Sequence, residues 1–386
     1  MPLSMSGYLA ETLDPFKPYE QILDSGHIGY AAGFPHYPRN FSRDTIISGI
    51  LASDPRLLVS QLAISALRQG VEQNPITGEM PGKIHHEFPG VTLNGGDKHT
   101  TYNACDTTAL FVIAAEGLMR LKESSFNTFT EQNPNSIKSA VGYILSHVEP
   151  DGLFWERPPE GSDNFALKVT YWKDSILPHA DGKSEPVYPV VFSLAHFIAA
   201  RALQSASFIL GDESLSIISG NMFRTGIEEF VRPDGFTVYR DKIARLDQVS
   251  SDELNALAYI PDMYRDLLPL GAIQERAKLL ETPFGYMCTP LDIALRLADR
   301  YHGDSVWVAD MAMIHYGATK LQLHEQAVVA SSVAIHIGEG QELFSVLQEE
   351  SGAITPIPSG CTQQLWSTAA REYFAGRSDL STSFWL

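Results

Sequence analysis

Apolar residues recur every third or fourth position along most of this chain, the spacing that lays one face of a helix against a core. The periodic stretches are 45–52, 55–70, 106–122, 135–147, 190–210, 213–230, 253–266, 272–280, 288–300, 306–316, 321–337 and 362–373, and each is expected to be a helix. Start signals support several of them. Asp54 stands before Pro55, whose fixed φ suits the first helical position. Asp106 before Thr107 and Ser305 before Val306 read as N-caps in the same way. Strand-like runs are few and short, so the pattern predicts an all-α fold with almost no sheet.

Four times a glycine turn leads into a short β-prone apolar run, at 74–84, 150–155, 232–239 and 350–354. A repeated helix-turn-helix unit with one recurring loop type implies an array of hairpins. Six such hairpins close into an (α/α)6 barrel, a toroid with its long loops on one rim; an open solenoid would show a stricter period. Residues 1–40, rich in Pro, Gly, Tyr and Phe and without periodicity, are expected to form an arm packed on the barrel. No polar linker divides 41–386, which reads as one domain.

Composition narrows the partners. Of the 386 residues 44% are hydrophobic, enough for a sizeable core. Lys and Arg number 28 against 46 Asp and Glu, a formal charge of −18 with no basic stripe, which argues against nucleic acid or an anionic membrane as partner. No apolar stretch reaches membrane-spanning length, and residues 1–14 show no secretory pattern. Cys105, Cys288 and Cys361 are odd in number and far apart, which predicts neither disulfide framework nor zinc site and suits a reducing, cytoplasmic compartment.

The candidate chemistry lies in loops. The stretch 150–189 lacks helical period yet carries Phe154, Trp155, Phe165, Tyr171 and Trp172, aromatics too costly to leave solvated. Within it Tyr171-Trp172-Lys173-Asp174-Ser175 sets a carboxyl beside an indole. The indole offers a flat apolar face to a pyranose, and the carboxyl can protonate a glycosidic oxygen. The competing reading puts Trp172 in the core and Asp174 in a surface ion pair with Lys173. Arg43-Asp44 could hold sugar hydroxyls by charge-assisted hydrogen bonds or could be a local helix cap. His85, His86 and Glu87 are adjacent, which is not the spacing of a helical metal site, so no metal or cofactor is expected. Glu339 and Glu342, with Glu349 and Glu350 beyond them, offer the second carboxylate that glycoside hydrolysis requires.

Taken in order, Phe41-Ser42-Arg43-Asp44-Thr45, Pro81-Gly82-Lys83-Ile84-His85-His86-Glu87, Tyr102-Asn103-Ala104-Cys105-Asp106, Asp151-Gly152-Leu153, Trp172-Lys173-Asp174-Ser175, Glu342-Leu343-Phe344 and Gln364-Leu365-Trp366-Ser367 form a set. With it the chain resembles the glucosidase domain of glycogen-debranching-type (amylo-α-1,6-glucosidase-like) enzymes, within the six-hairpin glycosidases that include glucoamylases. The resemblance implies an (α/α)6 barrel and an inverting cleavage of an α-glucosidic bond, with Asp174 as general acid and Glu342 as general base. It places Arg43 and Asp44 on the terminal glucose, Trp172 and Lys173 in the same pocket, and Asp106 and Trp366 in or beside it. Lys83, His86, Trp155 and Trp307 complete the candidate substrate-binding set. Gly340-Gln341 stands where the family has a proline before the glutamate, which leaves Glu339 as a rival base. The expected reaction is exo-acting release of glucose from short α-glucosides. A trehalose-, mannosylglycerate- or sucrose-type glycoside, and a sugar-binding toroid without catalysis, are the alternatives.

Overall fold

A helix whose every face is apolar has to be enclosed by others, whereas a one-sided helix covers them. The chain contains both kinds. In a computed structural model, residues 14–23, 26–90, 101–161, 170–174, 186–295, 297, 300–348 and 354–378 are described. The α-helices among them are α1 (Ser42–Ala52), α2 (Pro55–Leu67), α3 (Thr107–Leu121), α4 (Glu123–Gln132), α5 (Ser136–Ser146), α6 (Ser193–Leu210) and α7 (Glu213–Phe230). They continue with α8 (Ser251–Tyr259), α9 (Leu270–Ala277), α10 (Leu291–Ala294), α11 (Val308–Lys320), α12 (His324–Ser331) and α13 (Leu365–Phe374). Every residue of α8 is buried, as is α3 from Thr107 to Leu118. By contrast α7 and α9 bury a single stripe.

The contacts sort these helices into two layers. Helix α1 packs on α3, α3 on α6, α6 on α8, α8 on α11, α11 on α13, and α13 returns to α1. Outside them α2 lies against α1 and α3, α5 against α3 and α6, α7 against α6, α9 against α8 and α12 against α11. Helices α8 and α11 approach so closely at Gly317 that a Cβ there would sit 2.5 Å from the Ala258 backbone nitrogen.

The expectation of almost no sheet needs correction. The described residues include short antiparallel strands, the longest being Gly235–Asp241, Leu343–Gln348 and Ile354–Ser359. They arise because several enclosed helices are entered by an extended segment: Asn40–Phe41 before α1, Val190–Phe192 before α6, Ser305–Trp307 before α11 and Gln363–Gln364 before α13. Val190, Val191 and Phe192 are all buried, so the stretch has no exposed face from which a strand period could be read.

Other boundaries moved for local reasons. Asp54 caps α2 as expected, accepting from the Arg56 amide. Asp106 makes no cap, because Arg43 takes its carboxylate, and Ser305 lies in a strand. The helix expected at 288–300 shrinks to α10, since the Cys288 and Thr289 amides bond in extended fashion to Ser305 and Gly303. Pro261 ends α8 early, and a 3-10 turn (Asp262–Leu267) follows. Helix α4 went unpredicted, because its sequence buries only Phe126 and Phe129. Of the expected arm, Tyr19 bonds Thr368 at 2.7 Å and Gly33–Phe34 pairs with Gln363–Gln364. Phe165, Ser175, Glu349 and Glu350 lie outside the described residues.

No helix among the described residues is long and apolar enough to cross a membrane. The three cysteines are buried and free.

Candidate active site

The enclosed helices surround two adjoining cavities that share Arg43, Trp172, Trp307 and Trp366. The inner one, of about 440 Å³, draws lining residues from all six of the mutually packed helices. The outer one, of about 420 Å³, is lined by Asp44, Asp174 and Glu342 together with Tyr37, His86, Tyr301 and Gln364. Asp174 and Glu342, distant in sequence, thus border one space. Glu339 is exposed and borders a different, outer depression, so of the two rival glutamates only Glu342 faces the cavity.

Each acidic group is set by its element. Arg43 and Asp44 occupy the first turn of α1, entered from Asn40–Phe41. The Arg43 Nε and Nη2 atoms donate to Asp106 Oδ1 at 3.1 and 2.9 Å, in a pair that is fully enclosed. Asp44 accepts from Gln364 Nε2 at 3.3 Å. Burial lifts its pKa to about 7; Arg43 opposes the rise, while the charges of Glu342 and Asp174 add to it.

Asp174 is half-buried, at the end of a stretch tied down by one residue that sequence reasoning did not single out. Asp252, in the first turn of α8, accepts from Tyr171 Oη at 3.0 Å and Trp172 Nε1 at 2.9 Å, and it pairs with Lys173 Nζ at 3.2 Å. Lys173 also donates to Ser250 Oγ and the Cys288 carbonyl. Burial, the largest influence, would depress the lysine pKa, yet the charge and hydrogen bond of Asp252, the charge of Asp310 and the nearby Cys288 together outweigh it and keep the ammonium charged. Lys173 is therefore an anchor under the loop and lines neither cavity. The sequence Ser250-Ser251-Asp252-Glu253 carries only the signature of a helix start, and Ser250 does cap α8.

Glu342 enters through sheet pairing. Trp307 lies opposite Leu343 in the strand register, and the Glu342 amide bonds the Cys361 carbonyl at 3.0 Å. Its Oε1 accepts from Tyr301 Oη at 2.7 Å and its Oε2 from the Cys361 amide. Gly360, at φ +74°, makes room: a Cβ there would come within 2.2 Å of Glu342 Oε2. Burial pushes the Glu342 pKa up, and these two hydrogen bonds pull against it.

The aromatic walls are mutually braced. Trp307 meets Trp172 and Trp366 edge-on at 5.8 and 5.7 Å and stacks on His302 at 4.8 Å. Trp366 Nε1 is buried without a protein hydrogen-bond partner. His86 Nδ1 donates to Asn103 Oδ1 at 3.0 Å, and burial lowers its pKa to about 3, so the ring is neutral. Besides Lys173, two expected site residues are elsewhere. Lys83 forms an enclosed pair with Glu156 at 3.2 Å, and Trp155 donates to the Asp151 carboxylate beneath Lys242. Asp310 escaped notice; it lines the inner cavity, and burial lifts its pKa to about 6. Among the described residues no cluster of His, Cys, Asp and Glu is placed to hold a metal ion.

The Asp44 environment has a measurable consequence. The folded chain keeps the Asp44 proton up to about pH 7, whereas the unfolded chain releases it near 3.8. Between those values the native state binds more protons, so stability contributed by this site falls as pH rises through the window. Thermal melts from pH 4 to pH 8 are expected to show a shallower decline for Asp44→Asn than for the wild type. Parallel curves would place the Asp44 titration outside that window.

No model of a known protein family matches the chain, and no curated protein matches it. Solved structures do. An uncharacterized conserved protein from Thermus thermophilus superposes with a TM-score of 0.61 at 12% identity, covering 90% of this chain and 94% of that one. The GH63 mannosylglycerate hydrolase of the same organism, in complex with glucose, gives 0.59 at 14% identity over 90% and 95% of the two chains. A rhamnosidase from Klebsiella oxytoca with rhamnose bound gives 0.53 at 12%, covering 90% of this chain and 60% of that one. The chain thus shares a helix-rich fold that glycosidases use; these neighbours do not single out the glycogen-debranching subtype.

Proposed function

We propose that this protein is an inverting glycoside hydrolase, an exo-acting α-glucosidase that releases glucose from short α-glucosides inside a six-hairpin (α/α)6 barrel. The observation that carries the reading is that Asp174 and Glu342 line one aromatic-walled cavity with Arg43 and Asp44. The cyclic packing of the six enclosed helices supports the barrel, and its debranching-type affiliation rests on the ordered motifs. In the mechanism Asp174 gives its proton to the glycosidic oxygen as the bond to the anomeric carbon breaks. Glu342 takes a proton from a water that attacks that carbon on the opposite face, so the configuration inverts. This requires the two carboxyl groups to stand ~6.5–9.5 Å apart, with room for the water. Arg43 and Asp44 hold the hydroxyls of the glycone, Trp172, Trp307 and Trp366 face its ring, and the open indole N–H of Trp366 donates to an oxygen of the sugar. Free buried cysteines suit a reducing, cytoplasmic setting.

The likeness to a mannosylglycerate hydrolase favours a second reading, in which the same machinery cleaves another small glycoside. One experiment separates them. Maltose-type oligosaccharides, trehalose, sucrose and mannosylglycerate are incubated with the protein, and the first-formed anomer is followed by proton NMR. β-Glucose from the maltose-type oligosaccharides is the expected result. Preferred cleavage of trehalose, sucrose or mannosylglycerate selects the second reading, and α-glucose first formed from the non-reducing end of a maltose-type oligosaccharide rejects inversion. Calorimetric binding with no product from any substrate identifies a sugar-binding protein.

A further inference from the structure

The base proposed above is held by a device that the reaction itself does not explain. Tyr301 Oη donates to Glu342 Oε1 at 2.7 Å, and Tyr37 Oη lies 3.1 Å from Tyr301 Oη. An ionised carboxylate can only accept, so the order of donation is fixed: Tyr37 donates to Tyr301, and Tyr301 to Glu342. Tyr301 is itself fastened. Its carbonyl accepts from Trp307 Nε1 at 3.1 Å and Ser305 Oγ at 2.6 Å, and its ring meets Trp307 edge-on at 4.8 Å. The two tyrosines come from remote segments, Tyr37 from the approach to α1 and Tyr301 from the approach to α11, and both line the outer cavity.

We infer that Tyr301, braced by Tyr37, is the positioning residue that keeps the Glu342 carboxylate ionised and aimed into the cavity. The inference rests on the reading of Glu342 as base.

The physical need is plain. A base enclosed this far from solvent tends to pick up a proton, and Asp44 and Asp174, carboxyls bordering the same space, reinforce that tendency whenever they are charged. Opposing it are two donors at Glu342, Tyr301 and the Cys361 amide, and through space the electrostatic influence of His36. Arg43, which also lines the cavity, is engaged by Asp106. Of the side chains near Glu342, Tyr301 therefore offers a neutral donor that can be deleted without changing net charge. Hydrogen bonds to the charged form favour it, so removing one raises the pKa of the base. The reaction needs the base ionised, so the acidic limb of the pH profile moves upward.

Tyr301→Phe and Tyr37→Phe are compared with the wild type for kcat and KM from pH 4 to pH 9, with thermal melts as a check on folding. Tyr301→Phe is expected to lower kcat about tenfold to a hundredfold near the acidic limb, with KM nearly unchanged. That limb moves up by about one to two pH units, so much of the activity returns at higher pH. Tyr37→Phe shifts the limb in the same direction by less, and it carries the test if Tyr301→Phe does not fold. A loss equal at every pH with an unmoved limb, or no loss, overturns the inference. If Glu342→Gln itself keeps wild-type turnover, the assignment of the base fails instead, and the two outcomes are read from different variants.

Discussion

Glu342→Gln and Asp174→Asn are each expected to lower kcat by about 10²–10⁴-fold while leaving the melting temperature close to that of the wild type. Both substitutions keep the shape of the side chain and remove only its ability to exchange a proton. The two losses should differ in kind. A general acid matters in proportion to how badly the leaving group needs protonation, so Asp174→Asn should recover much of its rate on glycosides with an acidic nitrophenol as aglycone. The general base acts on water, which is common to every substrate, so Glu342→Gln should stay slow throughout. Initial rates on a natural glucoside and its nitrophenyl counterpart decide the matter. Equal recovery in both variants would break the division of roles, and wild-type rates in both would remove these two residues from the chemistry.

The second large effect is expected at Asp252, which lies beneath the loop carrying Asp174. Asp252→Ala leaves the Lys173 ammonium enclosed without its counter-charge and strips the Trp172 indole and Tyr171 hydroxyl of their acceptor. Breaking a buried pair from one side typically costs about 3–5 kcal/mol. Urea unfolding should show that loss as a lower midpoint at similar slope. Turnover should fall too, because the stretch that positions Asp174 has lost its three attachments to Asp252. Removing both partners in Lys173→Met/Asp252→Ala should return part of the stability, since no bare charge remains, but not the activity. If the double variant is as unstable as Asp252→Ala, the penalty comes from the lost indole and phenol contacts and not from the stranded lysine.

How far the chain could be read depended on whether a feature is local. Helical period identified α1, α2, α3, α5, α6, α7 and α13 nearly to their ends, because one-sided or all-round burial repeats with the turn of the helix. Where burial was two-sided, as at Val190–Phe192, the period vanished and an extended entry was merged into the helix that follows. The stretch Tyr171–Asp174 was legible because aromatics beside an acid are costly without a reason. The part played by Lys173 was not, since a lysine next to a carboxylate in sequence gave no sign that its partner would be Asp252 on α8.

The same divide separates what the amino-acid order determined from what the folded molecule decided. Order along the chain was enough for the helical hairpins, for an acidic chain without a basic stripe, and for Asp174, Glu342, Arg43 and Asp44 as candidates. It could not choose between Glu339 and Glu342, and it counted Lys83 and Trp155 among the cavity residues, where the folded chain encloses them elsewhere. Nor could it foresee Asp252 and Tyr301. Periodicity and composition are properties of neighbours in sequence, and they survive in any arrangement of the helices. Which carboxyl faces the cavity, and which donor meets it there, depends on distances between segments that come together only when the six enclosed helices pack against one another.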